Sequence, residues 1–513
     1  MVDTKDVKDL KQRNPKRWLI LIVLCLSTLV LVIDNMVLTV SIPPIVEDLK
    51  ATPQHIQWII DSYILVFAGL LLTSGSLSDR FGRRKVMIIG LVLFGAASVL
   101  AAYAADPAQL IAGRALMGVG GALIMPSTLS ILITVFDEDE RPKAIAAWSA
   151  VAMLGMVGGP TVGGALISNF WWGAVFVMNV PIALLAILAA LFLMPESRGP
   201  VRKADPLGMV LSMTGMTALI WTIIELPQTG LSDAGTITSL VIAVVALGGF
   251  AFWELRTKSP MIPLELFRNR MFTGSSFSLV LVTFANGGLM LVLTQYLQFV
   301  LGYTPTETGL AMTPLAVATL ALNGVGAALA KKLGNRVLTS LGLLVIAAGF
   351  AALATMESDS GWLHVSAAMV LLGGGCGLAM PAAIAALMGA VPPAHAGVGS
   401  ALNDTVQQTG AALGVAILGS VLSSSYGGAM PSGAPEKARS SIAEALGLAG
   451  ATGDAGLAGA AKDAFTTAMS TTFFAGAAGV VVAAILALVL MRGGKNTTAE
   501  TQEADAELVS ASH

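Results

Sequence analysis

Apolar stretches long enough to cross a bilayer, separated by short polar turns, set the pattern of the whole chain. A hydrocarbon core about 30 Å thick takes about 20 helical residues. Runs of that kind lie at 18–40, 55–76, 86–105, 109–134, 144–168, 173–194, 207–226, 237–253, 272–300, 308–330, 337–356, 365–390, 398–422 and 465–491. Fourteen membrane helices are therefore predicted, and the chain reads as an all-α polytopic membrane protein.

Positive charge orders these spans, because cytoplasmic loops hold most of the Lys and Arg. With the N-terminus inside, 24 of the 29 Lys and Arg residues fall on the inner side, Lys50, Lys437, Arg439 and Lys462 fall outside, and Arg114 lies within a span. That split requires an even number of spans with both termini cytoplasmic. A basic turn at 75–85 follows the second span, and a decayed copy at 326–336 follows the second span of a later group. Related halves are a common way to build transporters. The predicted organisation is a cytoplasmic tail (1–17), an N-terminal six-helix half (18–196), an inserted helix pair with cytoplasmic linkers (197–270), a C-terminal six-helix half (271–491) and a second cytoplasmic tail (492–513). Within the last half, 423–464 is rich in Gly, Ala and Ser and is expected to be an extracellular loop, with a short helix opening at Pro435.

Composition narrows the function classes. Of 513 residues 55% are apolar and 12% charged, about half the charge of a soluble protein, and the mean hydropathy is +0.79. The net charge of −2 gives no argument for nucleic acid. Cys25 and Cys376 lie in separate spans, so neither a disulfide nor a thiolate metal site is expected. No cofactor is implied, and no nucleophile–base cluster argues for a membrane enzyme. A sensor or scaffold would lack any appended signalling domain.

Chemistry concentrates at a few positions. The turn Gly75-Ser-Leu-Ser-Asp79-Arg80-Phe-Gly82-Arg83-Arg84-Lys85 packs four cations, one acid and two glycines into eleven residues. Topology alone would need only the cations. Gly82 suits a sharp reversal, and Asp79 is placed to accept bonds from arginines or from a helix N-terminus, which makes the turn a helix-locking device. Ionisable residues inside spans are functional by default, at about 2.5–3.5 kcal/mol each on the lenient scale. Asp34, expected about six residues and about 9 Å from the outer end of its span, stands at the level of Asp61 and Arg114. The three are expected to share a wet cavity; the plainer alternatives are a local cap for Asp34 and a structural Arg114 partner for Asp61. Trp58 lies one turn from Asp61, where a ring face suits a lipophilic cation and an interfacial anchor is equally consistent. Glu225 reads as either a cavity acid or an interfacial residue, and Asp404 as structural. The four histidines fall at ends or loops, leaving carboxylates as the proton carriers. Gly155, Gly159, Pro160, Gly163 and Gly164 form a run of small residues four apart around a proline, which admits close helix packing and a kink.

Taken together these motifs resemble the major facilitator superfamily, in particular its fourteen-helix drug:proton antiporters. Residues 75–85 are similar to its loop two–three motif, Arg114-Ala-Leu-Met-Gly118-Val-Gly120-Gly121 to its helix-four motif, and 155–164 to its antiporter motif. Asp34-Asn35, the run from Trp172 through Asn179 to Pro181, and Asp205-Pro-Leu-Gly208 are similar to the fourteen-helix branch. The resemblance implies a role for Arg114 in proton transfer, and for Asp34 and Asp61 the place of acids used by quaternary-ammonium and dye exporters. The tenth span has no acid and only Asn323 as a strongly polar member, which favours monovalent substrates.

The reading is a proton-coupled exporter of lipophilic, mainly cationic drugs working by alternating access in the cytoplasmic membrane, and a monomer is expected. Asp61 is expected to exchange the proton and Asp34 to attract the cation, with Trp58 and Glu225 in the binding site. Export of one self-made antibiotic is the alternative.

Overall fold

In hydrocarbon every backbone polar group has to be satisfied within the protein, and the apolar runs achieve this as helices. The computed structural model describes residues 15–491 apart from 200–204, 230–232, 258–259, 261, 263, 358–359 and 393–394. The first half contains α1 (Arg17–Leu49), α2 (Pro53–Phe81), α3 (Arg83–Ala102), α4 (Pro107–Val135), α5 (Arg141–Asn169), α6 (Ala174–Val177) and α7 (Asn179–Leu193). The inserted pair is α8 (Pro206–Thr229) and α9 (Ala234–Glu254). The second half contains α10 (Arg270–Gln295), α11 (Pro305–Ala311), α12 (Thr313–Ala354), α13 (Trp362–Gly389), α14 (Ala396–Ala429), α15 (Glu436–Ser440), α16 (Ile442–Thr452) and α17 (Ala455–Leu490).

Among the described residues thirteen helices are long and apolar enough to cross a membrane. They coincide with thirteen of the fourteen predicted spans. The remaining stretch, 144–168, is occupied by the 29-residue α5, which packs along α1. Polar turn residues fix where the helices begin. Thr52 and His55 form a capping box on α2, and Asp106 and Asp233 cap α4 and α9, each cap satisfying a backbone N–H that the helix leaves open.

The internal repeat reaches the backbone. Gly82, between α2 and α3, has φ 114°, and Gly334, inside α12, has φ 77°. Both conformations are cheap only for glycine, and the local order matches: Arg80-Phe-Gly82-Arg-Arg84 in the basic turn and Lys332-Leu-Gly334-Asn-Arg336 in its decayed copy. A hydrophobic cluster fills each half; that of the first half also takes in Val398, Ala401 and Leu402 of α14, which joins the halves. In the inserted pair α8 packs against both α2 and α14, and α9 packs along α8.

Two boundaries differ from expectation. The first helix runs through Pro43 and Pro44 to Leu49, so fifteen residues, about 22 Å of helix, separate Asp34 from its end rather than six. Segment 423–464 is mostly helical rather than an open loop. There α14 continues to Ala429 and α17 begins at Ala455. The Tyr426 hydroxyl donates to the Ala438 carbonyl at 3.1 Å, and Ile442 and Phe465 are buried in the same cluster. Low hydropathy hid these turns because small residues pack without being strongly apolar.

Candidate functional site

Among the described residues the most buried salt bridge joins α1 and α4. Arg114 is fully buried and Asp34 is 2% exposed. Arg114 Nη1 donates to Asp34 Oδ2 at 2.5 Å, and Asn179 Nδ2, from the start of α7, donates to Asp34 Oδ1 at 2.7 Å. Arg114 Nε donates to the Ile59 carbonyl of α2 at 3.2 Å, and its guanidinium lies 4.4 Å from the Tyr63 ring centroid. Four helices therefore meet on one pair of charges. Leaving either charge alone in such a place costs about 3–5 kcal/mol, so neutralising Asp34 releases Arg114 to new partners. Glycines allow this convergence: a methyl group at Gly118 would stand 2.8 Å from the Tyr63 carbonyl, and one at Gly155 of α5 would stand 2.9 Å from Val32.

Asp61 belongs to a second group. It is half-buried and makes no bond to Arg114; Gln57 hydrogen-bonds it, and Glu225 of α8 stands within electrostatic reach. The Trp58 and Trp221 rings meet at 4.9 Å between centroids, tilted by 51°. Two indoles and two carboxyls thus face each other across α2 and α8. Asp34, Asp61 and Arg114 therefore divide into two bonded groups: Asp34 and Arg114 close on each other, and Asp61 bonds to Gln57 with Glu225 of α8 near it.

The basic turn forms a third feature, a clasp between the halves. Asp79 accepts from Arg83 Nε and Nη2 at 2.9 and 2.7 Å, and from the backbone N–H groups of Gly397 and Val398 at 2.9 and 3.1 Å. The carboxylate thereby caps the N-terminus of α14, where the helix dipole favours negative charge. Gly75 is required here, since a methyl group would stand 2.6 Å from the Gly397 carbonyl oxygen. Segment 194–199 wraps the other side: the Ser197 carbonyl accepts from Arg83 N and the Met194 carbonyl from Arg84 Nη1. Arg80 is exposed and lies over Phe81.

In the glycine run of α5, Gly155 and Gly159 face Val32 and Met36 of α1, whereas Gly158 and Gly164 have open space beside them. Gly163 is buried, and the Pro160 side chain lies outside the described residues. Sequence reasoning missed Trp221, and it gave Asn179 no role at Asp34. A tryptophan one turn before Glu225 and an asparagine in an apolar span were the available signals.

Comparison with known proteins identifies the family and the fold. Residues 24–415 and 276–510 match the Major Facilitator Superfamily. The multidrug efflux pump LfrA of Mycolicibacterium smegmatis is 36% identical over 86% of this chain and 88% of that protein. The tetracenomycin C resistance and export protein of Streptomyces glaucescens is 32% identical over 81% of this chain and 77% of its own length. The methyl viologen resistance protein SmvA of Salmonella typhimurium is 34% identical over 85% and 89%. The crystal structure of the human organic anion transporter MFSD10 superposes with a TM-score of 0.64 at 14% identity, covering 92% of this chain and all of that one, a likeness of fold.

Proposed function

The chain belongs to the major facilitator superfamily, and we propose that it exports lipophilic, mainly cationic compounds across the cytoplasmic membrane in exchange for protons. On this reading it has fourteen spans, with α5 as the fifth, and both termini inside. The observation that carries the reading is the acid–indole group between α2 and α8. Trp58 and Trp221 offer ring faces to an apolar cation, and Asp61 and Glu225 offer charge on the same wall. Two carboxyls suit a dication as well as a monocation, which widens the monovalent preference drawn from the tenth span.

The proton acts at Asp34 and Arg114. While Asp34 is ionised the pair holds α1, α2, α4 and α7 together; once it is protonated Arg114 must find other acceptors, and the four helices repack. This exchanges the roles expected from the sequence: Asp61 with Glu225 receives the cation, and Asp34 with Arg114 senses the proton. Asp79 on the α14 N-terminus is the cytoplasmic gate of the alternating-access cycle. Ethidium efflux from cells lacking their own pumps tests the proposal. Expression of this chain should speed efflux, and a protonophore should abolish the gain. Efflux unaffected by the protonophore would overturn the coupling.

A second reading is export of one antibiotic. Relatives named for tetracenomycin C, puromycin and methylenomycin A resistance, at 32–35% identity, favour it. A susceptibility panel showing protection against a single compound would establish that reading.

A further inference from the structure

The second half holds a buried acid to which nothing above gives a task. Asp404 of α14 is 4% exposed and Asn403 beside it is fully buried. Asn403 Nδ2 donates to Asp404 Oδ1 at 2.9 Å, and Asp404 Oδ2 has no partner. Among the described residues no cation reaches it. On the helices packed against α14, Arg114 is held by Asp34, Arg80 and Arg270 are exposed at helix ends, and Lys462 and the α15 cations stand at the far end of α14. Asp61 and Glu225 are the acids of α2 and α8, and Asp79 is held by Arg83 and the α14 N-terminus. A bare carboxylate in such a place is strongly disfavoured.

Its place on the helix gives the acid a use. Gly397 and Ala401 lie against Gly75 of α2, on the seam that Asp79 clasps. Positions 397, 401 and 404 form one helical stripe, so Asp404 is the next residue on that seam, two turns and about 10 Å beyond the clasp.

We propose that Asp404 is a proton-linked group of the cytoplasmic gate, neutral while the seam between α2 and α14 is closed and ionised when it opens. On opening, water from the cytoplasm reaches the seam, the carboxyl O–H bond breaks, and the proton leaves into that water. On closing, the carboxylate takes one proton from the water then touching it. Acid favours the closed seam and alkali the open one. The inference rests on the alternating-access reading.

Spin labels at Lys85→Cys and Gly389→Cys, both exposed positions on opposite halves, report the seam, in a background with Cys25 and Cys376 replaced by alanine. Distances are measured in lipid nanodiscs against pH, with and without ethidium. One linked proton changes the closed-to-open ratio by up to tenfold per pH unit. The logarithm of that ratio should decline with pH, and the steepness of the decline should drop by up to one when Asp404→Asn is introduced and be kept by Asp404→Glu. An unchanged slope in Asp404→Asn overturns the inference; distances that respond to neither ethidium nor pH in the parent protein overturn alternating access instead. If Asp404→Asn does not fold, infrared difference spectra of Asp404→Glu on a pH jump decide. A protonated-carboxyl band displaced from that of the parent supports the assignment, and an identical band overturns it.

Discussion

Replacing Asp79 by Asn keeps the side-chain shape and removes the charge from the clasp. Two of its four accepted bonds cross between the halves, from Gly397 and Val398, and two stay within the first half, from Arg83. An amide keeps one acceptor oxygen and turns a donor toward backbone N–H groups. Losing one charged bond costs about 1.5–3 kcal/mol, and losing the charge at the helix N-terminus costs about 0.3–1 kcal/mol. The gate is therefore weakened by about 2–4 kcal/mol, which shifts the closed-to-open ratio about 30- to 700-fold at about 1.4 kcal/mol per decade. Acids contribute little to topology, so the variant should insert normally. Val398 is 4% exposed, and a cysteine there reports the gate in the background without Cys25 and Cys376. Its reaction with a soluble maleimide should be slow behind Asp79 and at least tenfold faster behind Asp79→Asn, with dye transport reduced to a similar degree. Equal labelling rates and normal transport would refute the clasp.

Other consequences follow from the same geometry. Gly155→Ala and Gly159→Ala should impair transport because each methyl meets α1, whereas Gly158→Ala and Gly164→Ala, with open space beside them, should be tolerated and add up to about 1 kcal/mol of helix preference; dye efflux and thermal melting of the four variants check this. Glu225→Gln should weaken resistance to methyl viologen, a dication, more than resistance to ethidium, as read from inhibitory concentrations; equal losses would remove Glu225 from the cation site. A cysteine at Ala451, exposed near the end of α16, should react with an impermeant thiol reagent from outside intact cells, and labelling only after lysis would contradict the fourteen-span topology.

Much of this architecture was legible because hydropathy and the positive-inside bias are local properties of the chain. The apolar helices, the glycine reversal at Gly82 and an acceptor at Asp79 needed no tertiary information. What stayed hidden depends on packing between distant segments. The partners of Asp79 on α14, Gly397 and Val398, lie more than 300 residues away and offer only backbone N–H groups, which no residue type announces. Asp34, Asp61 and Arg114 appeared at one depth, but depth does not say which side of a helix a carboxyl faces. The Tyr63 ring lies against Arg114, and Asp61, two residues before it, has Gln57 and Glu225 as its neighbours instead. Trp221 stands out little along the chain, because an aromatic in an apolar span ordinarily serves packing. Asp404 was read as structural, since nothing in its neighbourhood along the chain reveals that its second oxygen is unpaired.

The central claim, that proton movement through the Asp34–Arg114 pair drives cation export, is met most directly in proteoliposomes. Purified protein is reconstituted, ethidium is trapped inside, and the outside is made acid in one sample and left equal to the inside in another. The account predicts faster dye exit with acid outside, collapse of that excess on adding a protonophore, and no response to the gradient in Asp34→Asn, where the pair with Arg114 cannot alternate. Exit at one rate with and without the gradient, or a gradient response undiminished in Asp34→Asn, would contradict it.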